Sequence, residues 1–305
     1  MKKLTKEKIS VKKRPKGERI FSYFNTVFLA GVTLIFLLPI WHVFCASVSD
    51  PAKLVQMRGL LLKPAGNITF TGYRLALKNG SIIRGYLNTI FYTTVATLIG
   101  MLGSAAAAYA LSRPNLMWKK PIAFILSFTM LFNGGIIPTY LLVRNLQLLN
   151  TIWAIILPGC LSVYNILVMR TSFQALPEGL IEAARIDGAG HMRILFQIVI
   201  PCSKAIMAVI MLFYVVTHWN SWFHASLYID GQHRDLFPLQ LLLREIVIMN
   251  SQSALELAGE SGALNLGKEL TKYAVIVVSM LPMMAIYPFI QKYFVTGIMI
   301  GSLKE

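Results

Sequence analysis

Apolar residues run along this chain in long unbroken blocks, not in the alternations that give an element one wet face and one dry one. Six blocks stand out, at about residues 22–45, 86–111, 121–142, 151–169, 203–223 and 273–291. Each approaches the roughly 20 apolar residues with which a helix crosses the hydrocarbon core of a bilayer. A helix is expected for each, because lipid offers the backbone no hydrogen-bonding partner. Together the blocks take up nearly half of the 305 residues and leave no room for a separate soluble catalytic domain. The expected fold class is an all-α membrane protein with six transmembrane helices.

The blocks differ in ways that bear on packing. The second carries Gly100, Ser104 and Ala108 at four-residue spacing, a face of small residues that lets another helix come close, in this chain or in a partner. The third is interrupted by Asn133-Gly134-Gly135 and Pro138. Such a break reads either as the lining of a cavity or as a kink inside a packed bundle. The fourth holds Pro158-Gly159 and Tyr164-Asn165 and ends at Arg170, and the fifth begins near Pro201 and runs to Trp219, Trp222 and Phe223. A second long outer segment, 224–272, has its own helical pattern around 236–249.

Composition agrees with this pattern. Hydrophobic residues make up 56% of the chain and charged ones 14%, with a mean hydropathy of +0.61. The formal net charge of +16 would suit a nucleic-acid binder. The basic residues sit beside the apolar blocks, however, so topology is the better explanation and no nucleic-acid partner is expected. Nine Lys or Arg lie in residues 1–20, which places the N-terminus in the cytoplasm by the positive-inside rule. Counting from there, 112–120, 170–202 and the C-terminus are also inside. The loop 46–84 resists, being basic although the count places it outside. The first block is too long for a signal peptide and reads as an uncleaved anchor. Cys45, Cys160 and Cys202 have no pairing or metal spacing and read as packing residues, and the five histidines share no metal spacing. Gly262 to Lys268 has P-loop spacing, but Glu269 stands where Ser or Thr should hold Mg²⁺.

The segment 176–201 carries the mechanism. Pro177 suits the start of a helix, and Glu178 suits its positive end. Glu182 lies one turn further on the same face, beside Ala183 and Ala184, strong helix formers with almost no side chain. Gly188-Ala189-Gly190 permits a sharp turn, and His191 to Ile200 resumes helical periodicity with an apolar stripe. The expected product is a helix–turn–helix elbow at the membrane surface.

Glu182-Ala183-Ala184, Gly188 and Ile198-Val199-Ile200-Pro201 resemble the EAA loop of ABC importer permeases, with Ile200 where leucine is usual. Other segments narrow the resemblance to carbohydrate-uptake permeases, closest to the second, maltose-permease-like subunit of systems for complex oligosaccharides. These are Phe132 to Tyr140, Asn150 to Ala154, His218 to Phe223 and the tail Gln291 to Gly301. The resemblance implies a type I ABC importer permease fold in a bacterial cell membrane, with both termini cytoplasmic. The implied divisions are a basic tail at 1–20, a first helix and outer loop at 21–84, the permease domain at 85–293 with its coupling loop at 176–201, and a C-terminal tail at 294–305.

It further implies that Glu182, Ala183, Ala184, Asp187, Gly188 and Gly190 couple to a cytoplasmic ATPase dimer, and that ATP and Mg²⁺ bind there and not in this chain. The other implied partners are a homologous second permease subunit and an extracellular substrate-binding lipoprotein. Because sugars present C–H faces and hydroxyls, aromatic and amide side chains in or near the spans are candidates for the substrate path: Asn133, Tyr164, Asn165, Trp219, Asn220 and Trp222. Membrane proteins also place Trp at interfaces whatever their cargo. Two alternatives remain at this point: a permease of the same fold for a non-sugar solute, and a secondary transporter. The latter calls for ionisable residues at mid-span, and the six blocks hold almost none.

Overall fold

The computed structural model describes residues 16–57, 59–132, 134–256 and 262–302, and the regular elements among them are all helical. The first third comprises α1 (Lys16–Ser47), α2 (Pro51–Gln56), α3 (Thr71–Lys78) and α4 (Gly80–Ser112). Then come α5 (Lys119–Leu131), α6 (Ile136–Asn145), α7 (Ile152–Ile156, continued as a tighter turn to Gly159), α8 (Val163–Gln174), α9 (Glu178–Ile186) and α10 (His191–Ile194). The last third holds α11 (Ile200–Cys202), α12 (Lys204–Trp219), α13 (Phe223–Tyr228), α14 (Leu239–Glu256) and α15 (Gly262–Ser302).

Three stretches are long and apolar enough to span a membrane unbroken: α1, α4 and Glu269–Pro288 of α15. Three bent pairs complete six if each pair is one span, and the bends fall where the sequence places its breakers. α5 and α6 are separated by the glycine-containing break, where Gly135 takes φ +89°. Asn133 itself lies outside the described residues. Phe132, Ile136 and Ile137 beside it are exposed, so within this chain the break is not a kink inside a packed bundle. The helical stretch 152–159 and α8 meet at 48° just after Pro158-Gly159. The helix 191–202 meets α12 at 91° just after Pro201.

α4 is the central post, packed most extensively against α8 and α12. Its small face is turned into this chain: Gly100, Ser104 and Ala108 are buried, and the Ser104 hydroxyl lies 2.6 Å from the Tyr214 hydroxyl of α12. The same phenol accepts the Ser162 amide at the head of α8, at 3.0 Å. α4 begins earlier than the apolar block, because the Asn79 side chain caps Ser81 N and starts the helix at Gly80. Its polar first turns hold the outer segment. Asn88 donates to the Asp235 and Phe237 carbonyls, Tyr92 donates to the Leu236 carbonyl at 2.9 Å, and Thr89 accepts the Leu239 amide at 2.8 Å.

α1 stands apart. No residue of its most apolar stretch is buried, and its buried residues lie at the end, where Cys45 and Ala46 cluster with Leu54, Leu61 and Leu270. Its two threonine hydroxyls are satisfied within the helix, Thr26 on the Ser22 carbonyl at 2.8 Å and Thr33 on the Leu29 carbonyl at 2.7 Å, as an apolar surround requires. One sequence expectation changes. Cys45 and Cys160 are buried packing residues, but Cys202 is exposed. The segment with P-loop spacing forms the first turns of α15, a helix and not a phosphate-cradling loop.

Candidate functional site: an elbow fixed to the spans and a cavity beside them

The elbow forms as the residues dictate. Pro177 occupies the position just before α9, one residue earlier than expected, and Glu178 opens the first turn. The helix is closed by two paired backbone bonds: Gly188 N donates to Arg185 O at 3.0 Å and Ala189 N to Ala184 O at 2.9 Å. This Schellman arrangement needs a left-handed residue after the cap, and Gly188 supplies it at φ +78°. Gly190, by contrast, has φ −72°, an extended conformation that any residue adopts. Of the two glycines, only Gly188 is required by the turn.

α9 has a buried and an exposed face. Ile181 and Ala184 are buried, whereas Glu178, Glu182, Ala183, Arg185 and Asp187 face outward. The flat alanine patch is therefore split: Ala183 is presented and Ala184 is packed. Sequence reasoning missed Leu180 and Ile186, both exposed, the latter at 86%. The missed signal was a pair of large apolar residues on the outer side of a short helix, a patch of the kind that awaits a partner.

Beneath this face the elbow joins the main core. Ile181, Ala184, Ile194, Leu195 and Val199 form one buried cluster with Ala105 and Ala108 of α4, Met169 and Phe173 of α8, and Ile210 and Tyr214 of α12. The chain between α10 and α12 widens into a π-helical turn at Leu195–Val199. Pro201 accounts for it, since a helical proline displaces the carbonyl four residues back. A polar tie is added where the Tyr109 hydroxyl lies 3.1 Å from His191 Nδ1. Since close-packed cores transmit displacement, a push on the outer face of α9 is delivered to three spans at once.

The candidate substrate-path residues are only partly brought together. Trp219 and Asn220 line a cavity of about 320 Å³ with Gln240, Ser279 and three methionines, Met280, Met283 and Met284. Trp219 is 4% exposed and its indole N–H is spent on the Ser279 carbonyl at 3.2 Å. The Asn220 amide donates to the Val216 carbonyl of its own helix at 2.8 Å. Gln240 was missed, because the outer segment 224–272 was read for its helical pattern around 236–249 and not for cavity-lining residues. Trp222 lies outside this cavity, with the Arg244 guanidinium 4.1 Å over its ring. Tyr164 packs on Phe213, and Asn165 is buried at 4% exposure, neither of them lining this cavity.

Bent spans around a central post, with a rigid elbow between the fourth and fifth, define a membrane-embedded transport subunit. The chain belongs to the family of inner membrane components of binding-protein-dependent transport systems, whose profile matches residues 9–300. It is 37% identical over 286 residues to the polygalacturonan/rhamnogalacturonan transport system permease protein YtcP of Bacillus subtilis (strain 168), covering 94% of this chain and 99% of that one. It is 36% identical over 289 residues to Protein LplC of the same organism, covering 95% and 96%. Among solved structures it matches a bacterial ABC transporter involved in the import of the acidic polysaccharide alginate, with TM-score 0.81, 32% identity, and coverage of 93% of this chain and 99% of that chain. The resemblance read from the EAA-like segment is borne out at the level of family and fold: this is a type I ABC importer permease, a transport component and not an enzyme.

Proposed function

We propose that this chain forms half of the translocation pathway of an ATP-driven, binding-protein-dependent importer of oligosaccharides, and that α9 and its turn couple the pathway to a separate ATPase. One observation carries the coupling role: the inner face of α9 shares a core with α4, α8 and α12, while its outer face presents Glu182, Ala183 and Ile186. A partner that moves this face moves the spans. Asp187 and Gly188 hold the turn that fixes its angle, and Gly190 leads into α10.

The substrate class is supported by the relatives, whose names specify polygalacturonan/rhamnogalacturonan and the acidic polysaccharide alginate. The cavity at Trp219 and Asn220 is in keeping with a sugar path, having an aromatic ring, amides and thioethers around it. ATP and Mg²⁺ belong in this reading to a cytoplasmic ATPase dimer. A homologous permease chain completes the pathway, and a substrate-binding lipoprotein delivers the sugar to the outer segment 224–272. Both termini and the elbow then face the cytoplasm. The test is to isolate the complex from its native membrane with its binding protein and identify the bound ligand by mass spectrometry. An oligosaccharide is expected; an amino acid, a metal ion or inorganic phosphate would refute the substrate class.

A further inference from the structure

Where α4 ends beside the elbow, a cavity of about 530 Å³ opens that the transport reading does not use. Three basic side chains line it: Arg113 just after α4, Arg185 on α9 and His191 at the start of α10. No carboxylate is among its lining residues. The rest of the wall is mainly apolar, with Ala106 and Ala110 of α4, Leu116, Met192 and Leu195.

Arg113 is only partly committed. It stacks 5.1 Å over the Tyr109 ring and donates from Nε to the Ser112 hydroxyl at 3.0 Å and from Nη2 to the Phe173 carbonyl at 3.4 Å. Burial lowers its pKa, and the like charge of Arg185 adds to this, while Tyr109 and Glu178 act in the opposite sense. The site thus gathers like charges around a half-apolar space. The surface beside it has the marks of a lipid boundary. Met117 and Trp118 are largely exposed in the loop that leads to Lys119 and Lys120, and Trp is favoured at the headgroup level of a bilayer.

We propose that this cavity holds the headgroup of an anionic phospholipid from the leaflet on the elbow's side, its phosphate facing Arg113, Arg185 and His191. Basic pockets between spanning helices are suited to such headgroups, and guanidinium groups pair strongly with phosphate oxygens. A soluble phosphate would answer the charges but leave the apolar wall wet. An amphiphile answers both. Since Arg113 follows α4 while Arg185 and His191 flank the turn of the elbow, a bound headgroup ties the elbow to the central post. The effect on coupling rests on the proposed role of α9; the binding itself does not.

The test uses the complete complex in nanodiscs containing equal phosphatidylglycerol and phosphatidylcholine, released into native mass spectrometry. Preferential retention of phosphatidylglycerol is expected. Arg185→Gln, at an exposed position where folding is not at stake, should weaken that retention about fivefold, the effect of one basic residue near a charged membrane surface. Arg185→Gln with His191→Gln should weaken it further. Equal retention of both lipids, or retention unchanged in the variants, overturns the proposal. So does binding of inorganic phosphate alone with no lipid retained. The same spectra show whether an ATPase is seated in the complex, so failure of the transport reading is scored separately.

Discussion

Among the described glycines Gly100 leaves the least room for a side chain, and a single methyl group there gives a sharp test of the packing. A Cβ added at Gly100 would fall against the backbone carbonyl of Cys160, and within 2.9 and 3.1 Å of two Tyr214 ring carbons. Neither neighbour can give way cheaply. The carbonyl is main chain, and the ring is held by Ser104 at 2.6 Å and the Ser162 amide at 3.0 Å. Overpacking of this kind costs ~1–3 kcal/mol, whereas alanine favours helix over glycine by about 1 kcal/mol. Because the new Cβ meets main chain, the upper end of that range applies, and Gly100→Ala should lose about 2 kcal/mol net. Gly103→Ala is the matched control. Its new Cβ would meet only the end of the Leu161 side chain, at 2.7 Å, with the next atom at 3.8 Å. That side chain can rotate away, so the propensity gain should leave the variant neutral or slightly stabilised. The assay is unfolding of the purified complex in mixed micelles titrated with a denaturing detergent, with both variants beside wild type. A Gly100→Ala variant as stable as wild type, or a Gly103→Ala variant worse than it, would refute the reasoning.

Three further outcomes are expected. Tyr214→Phe removes the hydroxyl that accepts the Ser162 amide and meets Ser104, so stability in the same assay should fall by about 1–2 kcal/mol, the usual cost of unpaired buried groups. At the elbow, Gly188→Ala should cost roughly 1 kcal/mol because φ +78° is unfavourable for a residue with a Cβ. Gly190→Ala should be tolerated, and equal effects of the two would contradict the turn geometry. On the outer side, the Asp230 carboxyl is held below its ordinary value, chiefly by the hydrogen bond from His233, with help from the Gln232 amide and the Asn150 side chain against partial desolvation. A depressed folded value means that its contribution is fully present above the ordinary carboxylate range and is lost only as pH falls through the depressed one. The protection factors of the amides over 231–236, which remove the intrinsic pH dependence of exchange, should therefore hold from neutral to mildly acidic pH and fall only in stronger acid; a fall near neutrality would contradict it.

The spans, their breakers and the elbow were legible because each rests on local chemistry: block length for the spans, Gly and Pro for the bends, and an acidic start with a glycine stop for α9. What was not legible depends on faces set by tertiary packing. Ala183 and Ala184 are adjacent and chemically identical, yet one is presented and the other buried, since only the core beneath α9 fixes its rotation. Gly188 and Gly190 look alike in sequence, and only the closing hydrogen bonds show which one needs to be glycine. The substrate path fared worst. Trp219 and Asn220 share a cavity, Trp222 is taken up by Arg244, Tyr164 and Asn165 lie elsewhere, and Gln240 was not singled out. Aromatic and amide residues near a membrane boundary serve packing as readily as cargo, and their spacing along the chain does not say which.

The central claim is that force from a separate engine enters through the outer face of α9. The direct measurement is the ratio of sugar transported to ATP hydrolysed in proteoliposomes holding the complete complex, for wild type and Glu182→Lys. In the proposed reading Glu182 faces a basic group of the ATPase, so reversing its charge sets like charges against each other at a cost of several kcal/mol. The ratio should then fall by at least about tenfold, with hydrolysis persisting. An unchanged ratio in the variant would contradict the account.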